Sequence, residues 1–415
     1  MFNYKNNKLY CENVSLENII KKIGTPVYVY SKNKIIMNYT DYDRAFSSIS
    51  HIICYAVKAN TNYNICKTIF SLGGGADVTS GGELYRVLNA GVDVNKITFA
   101  GVGKTEQEIK YALEKNIFMF NVESIQELEL INKIGSKLHK VPNISIRINP
   151  NIDPHTHKYI STGKNENKFG IPIRESIKIY LNSKKYKNLN ICGIHCHIGS
   201  QITSIEPFIL MAKKIYEIVH LLKSKGVNIK YVDIGGGLGI RYYNETPPTP
   251  YQLAKEIVPV LKPLNIVLIL EPGRYIVGNT GILVTKILYY KYGQKKKFLI
   301  VDAGMSELIR PTLYGAYHEI VPVIKHNEQI RFEKIDIVGP ICETGDFFAI
   351  NRDFPVVNTG EYLAVKNAGA YGFTMSSQYN SRCRPPEIMV DKNKWYMIRK
   401  REDYRTLIST EIIGK

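Results

Sequence analysis

Polar residues of a few kinds stand where apolar runs stop, and their types suggest chemistry. Lys58 follows the run HIICYAV at 51–57. Burial lowers an amine's pKa, and a deprotonated lysine amine is a nucleophile toward an aldehyde. The plainer reading is a lysine that snorkels to solvent from a strand end. Asp77, in GADVT at 75–79, could hold such an amine in place. His195 and His197, in ICGIHCHI at 191–198, are two apart and face one side of a strand. Such a pair can ligate a metal if other strand ends supply further ligands. Alternatively, one imidazole can stack on a planar ring while Ser200 donates to a phosphate. Gly235, Gly236 and Gly237, in GGGLG, let backbone amides approach an anion closely. Glu271 directly follows NIVLIL at 265–270, where an unpaired acid would be costly to bury. Gly273 and Arg274, which follow it, suit a phosphate.

These residues need elements to carry them. β-branched runs recur at 51–57, 75–79, 97–100, 117–122, 144–148, 191–198, 231–234 and 265–270, with amphipathic stretches such as 106–115 and 204–224 between them. This rhythm predicts an α/β (β/α)8 TIM-like barrel over 36–280, with an open doubly wound sheet as the competitor. Ser80–Glu83, Thr105–Glu108 and Ser124–Glu127 read as capping boxes at three strand-to-helix junctions. From about 283 the runs LVTKILYY, FLIVD, IDIV and EYLAV follow one another with few helices. They predict an all-β domain over 281–415, a sandwich or small barrel. TPVYVYS at 25–31 is an extra strand, so residues 1–35 are expected to pack with that domain.

In a barrel of this kind chemistry sits at the C-terminal ends of strands, with phosphate held by the loops after strands 7 and 8. Lys58, Asp77, the histidines, the glycines and Glu271 all fall at such ends. A lysine, a ring-sized platform, an acid and a phosphate nest are the four parts that pyridoxal 5'-phosphate requires. Two nucleotide motifs are decoys. GVGKT at 101–105 has Thr98 where a Walker loop needs glycine, and Ile240 breaks the dinucleotide fingerprint.

Composition bounds the rest. The 415-residue chain is 44% hydrophobic and 22% charged, ordinary for a soluble globular protein. Its net charge of +18 comes from scattered lysines without a nucleic-acid-binding motif, so no nucleic-acid partner is expected. The polar start MFNYKNNKLYCENVS and the lack of a long apolar segment predict no membrane partner and a cytoplasmic location. Seven cysteines with no C-x-x-C pair predict free thiols and no structural metal site.

Whole motifs then carry a resemblance. YAVKAN, HCHIGSQ, GGGLG, EPGR, RPTLYGAYH, GPICETGD and GAYGFTMSSQYNSR, in this order over residues 25–390, resemble the diaminopimelate decarboxylases. These are pyridoxal-phosphate enzymes of the alanine-racemase-like barrel type. The resemblance implies that Lys58 carries the cofactor as a Schiff base, His197 stacks on its ring and Glu271 pairs with the ring nitrogen. Ser200, Gly235, Gly236, Gly237, Gly273, Arg274 and Tyr371 would hold the phosphate, with Arg274 and Tyr371 also beside the substrate. Arg310 and Tyr314 would grip the distal carboxylate of meso-2,6-diaminopimelate, which a planar guanidinium meets bidentately. Cys342, as proton donor, and Glu343, as acceptor for the distal ammonium, would reach into a partner's site, implying a homodimer. The implied reaction is decarboxylation to L-lysine and CO2, the last step of lysine biosynthesis. An ornithine- or arginine-type decarboxylase would typically carry Asp where Glu343 stands. Two positions depart from the family: Cys383 replaces the usual proline in RCRPPE, and Gly315 is unusual in LYGAYH. The long polar loop at 155–170 is a candidate to close the site.

Overall fold

The computed structural model describes residues 1–412 apart from 155, 158, 159, 161, 164–166 and 326–330. Several positions of the candidate closing loop therefore lie outside the described residues. Compactness divides the chain into two units. One comprises Ile36–Arg241 with Glu245–Ile276; the other comprises Met1–Ile35, Tyr242–Asn244 and Val277–Lys415.

The first unit is a closed barrel. Its strands are His51–Ala56, Gly75–Val78, Ile97–Phe99, Met119–Val122, Asn143–Asn149, Asn190–His195, Tyr231–Asp233 and Val267–Leu270, here barrel strands 1 to 8. Each pairs in parallel with the next, and strand 8 pairs with strand 1 to close the ring. The α-helices Tyr63–Phe70, Gly81–Asn89, Glu106–Glu114, Ile125–Leu138, Ile173–Leu181, Glu206–Ser224 and Pro250–Leu261 alternate with the strands. Parallel strands need such crossovers, and helices on the outside bury the strands' outward residues. Phe99 and Phe120 are among these, fully buried and stacked with centroids 6.1 Å apart.

Helix starts follow the expected hydroxyls, with a difference. Thr105 and Glu108 form the full reciprocal box. Ser80 and Ser124 accept from the amides of Glu83 and Glu127. The two glutamate side chains go elsewhere, Glu83 to the Thr79 amide and Glu127 to the Glu123 amide. Both boxes are therefore one-sided: the glutamates bind one residue before the expected cap.

Side-chain alternation sorts the barrel interior into layers. Cys54, Met119 and Ile269 form an apolar plug, with Ile52, Phe118 and Tyr231 against it. Two residues further along strands 4, 7 and 8, the inward positions become Asn121, Asp233 and Glu271. The plug thus ends where the polar chemistry begins, at the C-terminal face.

The second unit is β-rich. Val27–Ser31 pairs antiparallel with Gly281–Tyr292 and parallel with Glu387–Asp391, so the N-terminal strand lies inside the sheet built by the C-terminal part. Sequence patterning did not single out Ile320–Pro322, Phe347–Pro355, Glu387–Asp391 or Lys394–Arg399 as strands. Leu16 and Ile19 of the helix Leu16–Ile23 pack with Val29, Ile282, Val284 and Val390 in one cluster. Gly315, at φ +59°, is the left-handed cap of the short helix Arg310–Tyr314, which explains a glycine there. Cys383 lies in irregular backbone, and nothing in the structure explains its replacing proline.

If residues 1–35 share this core, Ile19→Ala should destabilise the β unit by about 2–5 kcal/mol. Chemical denaturation followed by near-ultraviolet circular dichroism measures this. A change of less than ~1 kcal/mol would make the N-terminal segment peripheral.

Candidate active site at the barrel mouth

Strand 1 runs straight into the turn Val57–Ala59, which carries Lys58 over the C-terminal end of the barrel. Lys58 Nζ is in hydrogen-bonding contact with Asp77 Oδ2. Asp77 is fully buried on strand 2, whereas the lysine side chain is 37% exposed. Burial and the neighbouring Glu271 push the Asp77 carboxyl up to about 7, against the opposing pull of Lys58. Its Oδ1 has no hydrogen-bond partner among the described residues. An unpaired buried oxygen beside an amine is a reason to expect a bound polar group.

Glu271, at the end of strand 8, is 5% exposed and gathers donors from across the barrel. Asn121 Nδ2 lies 3.1 Å and Thr98 Oγ1 3.3 Å from its Oε1. His195 Nε2 stands 3.5 Å from its Oε2, an ion-pair distance that is long for a hydrogen bond. Burial pushes the Glu271 carboxyl up, but His195, Lys58 and Asp233 outweigh it and hold the carboxyl below its usual range. Glu271 is therefore an ionised acceptor. His195 is lowered, first by burial, against the pull of Glu271.

The two histidines part company. His195 belongs to strand 6 and groups with Asp233 and Glu271, one polar atom of each lying within 4.8 Å of the others. His197 falls just beyond the strand, where its Nδ1 accepts from the Gly236 amide at 3.3 Å. Burial, Arg147 and Lys58 hold the His197 imidazole far below its usual pKa and so neutral. A neutral ring fixed by one edge suits stacking.

The glycine loop after strand 7 is tight because other backbone crowds it. A Cβ on Gly235 would meet His197 Nδ1 at 2.6 Å, and one on Gly236 would meet the Glu271 carbonyl oxygen at 2.2 Å. Gly235 also has φ +64°. Only glycine fits both demands. Across from it, Arg274 NH2 donates to Ser200 Oγ at 3.1 Å and Nε does so at 3.3 Å. Gly273 lies against Ala56 and Ala59, holding the strand 8 loop close to Lys58.

Residues not anticipated from sequence complete this end. Arg147 is buried on strand 5, and its NH1 donates to Glu123 Oε1 at 2.8 Å. The same carboxylate accepts from the amides of Gly101 and Gly170. Lys104, of the decoy GVGKT, is buried against Glu127 at 2.7 Å, so that motif serves a structural ion pair. Thr98, Asn121, Arg147 and Asp233 each sit inside an apolar run. That was the available signal, since a polar residue in a strand buried on both faces must find partners inside the barrel.

The other expected residues belong to the β unit. Arg310 is buried, its NH1 2.9 Å from His318 Nε2 and its guanidinium 4.5 Å over the Tyr242 ring. His318 Nδ1 lies 2.7 Å from the Lys366 carbonyl, which can only accept, so Nε2 is left to accept from Arg310. Tyr314 is partly exposed at the end of the same helix. Cys342 and Glu343 are exposed on a loop, with the Cys342 amide held by Asn380 Oδ1 at 2.9 Å. Tyr371 adopts φ +54°.

The barrel residues fit pyridoxal phosphate. The crowded glycine cradle, Ser200 and Arg274 suit its phosphate, Lys58 its aldehyde and Glu271 its ring nitrogen. The unpartnered Asp77 Oδ1 leaves one acceptor for it.

Comparison with known proteins points the same way. Residues 32–278 match the family described as pyridoxal-dependent decarboxylase, pyridoxal binding domain. A protein of Aquifex aeolicus named diaminopimelate decarboxylase is 49% identical over 410 residues, spanning 99% of this chain and 97% of that one. The structure of a Helicobacter pylori diaminopimelate decarboxylase complexed with L-lysine superposes with TM-score 0.92 at 41% identity, covering 95% of this chain and 99% of its own. That of the M. jannaschii enzyme in co-complex with L-lysine gives 0.94 at 39%, covering 100% and 98%.

The buried pair at strands 4 and 5 has a measurable weight. Glu123→Ala strands Arg147 in the interior and should destabilise the barrel by about 3–5 kcal/mol in urea unfolding. A loss of less than ~1 kcal/mol would show that Arg147 reaches water or another acid.

Proposed function

The chain belongs to the diaminopimelate decarboxylases, a pyridoxal-dependent family, and from that membership we infer that it converts meso-2,6-diaminopimelate to L-lysine and CO2. The observation that carries this reading is 49% identity to the Aquifex aeolicus protein over nearly the full length of both, with a lysine, acid and phosphate-suited constellation at one barrel mouth.

Pyridoxal phosphate, when bound, supplies a protonated ring that accepts the electron pair left as the carboxylate departs. The residues of this chain prepare that chemistry. Arg274, Ser200 and the amides of Gly235 to Gly237 would hold the phosphate with Gly273 beside it, and family membership assigns Tyr371 to the phosphate as well. Lys58 would be the covalent anchor, and Asp77, in contact with its amine, would keep that amine in place. Glu271, held ionised, would pair with the ring nitrogen and keep it protonated. Neutral His197 backs the ring without adding charge.

Selectivity lies with the far end of the substrate. Arg310, preorganised by His318 and Tyr242, pairs with the distal carboxylate beside Tyr314. Ornithine and lysine lack that group and would leave the buried guanidinium without its anion, which is heavily penalised. Cys342 donates the proton that replaces CO2, and Glu343 accepts from the distal ammonium, both acting in the site of a second copy. Their exposure on the surface of their own unit supports this homodimeric reading. No described helix is long and apolar enough to cross a membrane. We place the enzyme in the cytoplasm, a reading supported by its seven free cysteines.

The test is CO2 release by the protein loaded with pyridoxal phosphate, offered meso-diaminopimelate, ornithine and arginine in parallel. Release from diaminopimelate alone is expected. Release from ornithine or arginine would overturn the substrate. Arg310→Ala should retain the cofactor's absorbance while kcat/KM falls on the order of a hundredfold or more. Normal turnover in that variant would remove Arg310 from the distal pocket.

A further inference from the structure

Neither the amine nor the phosphate nest explains why strand 7 ends in an acid. Asp233 is 1% exposed. Its Oδ1 accepts from the Gly235 amide at 2.8 Å, the turn an aspartate makes with the residue two positions on. Its Oδ2 accepts from Asn121 Nδ2 at 3.0 Å, and the same nitrogen reaches Glu271 Oε1 at 3.1 Å. One amide nitrogen therefore stands between two buried carboxyl groups.

Two carboxylates so close in a buried site cannot both stay ionised. The donors decide which keeps the charge. Glu271 has Asn121, Thr98 and the nearby His195, and it feels the Lys58 ammonium. Asp233 has one backbone amide and a share of Asn121. The other groups that face it are Cys54 on strand 1, Cys196 beside strand 6 and His195, none of which supplies a fixed positive charge. Burial and Glu271 push the Asp233 carboxyl well up.

We propose that Asp233 is a positioning residue of the cofactor site, a neutral carboxylic acid that ties the first turn of the phosphate loop to the carboxylate assigned to the ring nitrogen. The inference rests on pyridoxal phosphate being bound with its ring nitrogen at Glu271. One side chain then sets two contacts of the cofactor at once. Oδ1 shapes the glycine loop that receives the phosphate. With Oδ1 accepting from Gly235, the proton sits on Oδ2 and is donated to Glu271, which leaves Glu271 as the charged member of the pair.

The test compares wild type, Asp233→Asn, Asp233→Ala and Asn121→Ala, each prepared without cofactor and titrated with pyridoxal phosphate. Kd is read by fluorescence quenching, and the cofactor's absorbance is followed against pH. Asparagine keeps the acceptor for Gly235 and places an N–H donor toward Glu271 where the neutral acid has its O–H. Asp233→Asn is therefore expected to bind within about threefold of wild type, with its absorbance midpoint in place. Asp233→Ala frees the glycine loop and should weaken binding roughly ten- to a hundredfold. A Kd for Asp233→Asn as weak as that of Asp233→Ala would overturn the proposal. So would a midpoint moved by more than ~1 pH unit, the signature of a lost negative charge. An unchanged Asp233→Ala would do the same. Should Asp233→Ala fail to fold by circular dichroism, Asn121→Ala carries the test. It removes only the shared donor and should bind roughly tenfold more weakly, and unchanged binding would overturn the link. Wild-type protein that takes up no pyridoxal phosphate would overturn the cofactor reading itself, and this inference with it.

Discussion

Lys58 can be held at the end of a barrel strand because Asp77, fully buried, stands in contact with its amine. Charge in an apolar barrel must be matched locally or removed by protonation. That demand runs through the whole mouth. Glu271 is kept ionised by donors from two other strands and by the nearby His195. Arg147 is matched by Glu123, and Lys104 by Glu127. The apolar plug of Cys54, Met119 and Ile269 lies below this layer and gives it a floor. The barrel closes over a layer of paired charges, and the chemistry borrows a few of them.

The barrel was legible because each strand is short, apolar and bounded by turn residues. All eight runs read from sequence fall on its strands, with ends shifted by up to three residues. Lys58 and Glu271 were legible as candidate site residues because each directly follows an apolar run, and Asp77 because of its company with Lys58. Asp233, Asn121, Thr98 and Arg147 were missed because they lie within such runs, where local pattern reads as strand alone. Their role depends on which strands meet across the barrel, and that is not a local property. His195 and His197 were read as a pair facing one way. The strand stops between them, so two-residue alternation no longer applies. The β unit was harder still. Its sheet joins residues 27–31 to residues 281–399, and Glu387–Asp391 and Lys394–Arg399 form a hairpin whose second strand is largely exposed.

The two units divide the work differently. The barrel holds the groups proposed to bind the cofactor, and the fold alone would not name a substrate. The residues proposed to select the substrate come from the β unit, where Arg310 is fixed by His318 and Tyr242. A guanidinium already positioned loses little freedom when an anion arrives, so the energy of that contact can go into discrimination.

The central claim is that Lys58 anchors the cofactor. Borohydride reduction of the loaded protein, followed by peptide mapping with mass spectrometry, tests it directly. A phosphopyridoxyl group is expected on the peptide containing Lys58 and on no other. Lys104, the more deeply buried lysine, is the informative control, its side chain being 1% exposed against 37% for Lys58. A label on Lys104, or on surface lysines without preference, would contradict the assignment of the barrel mouth.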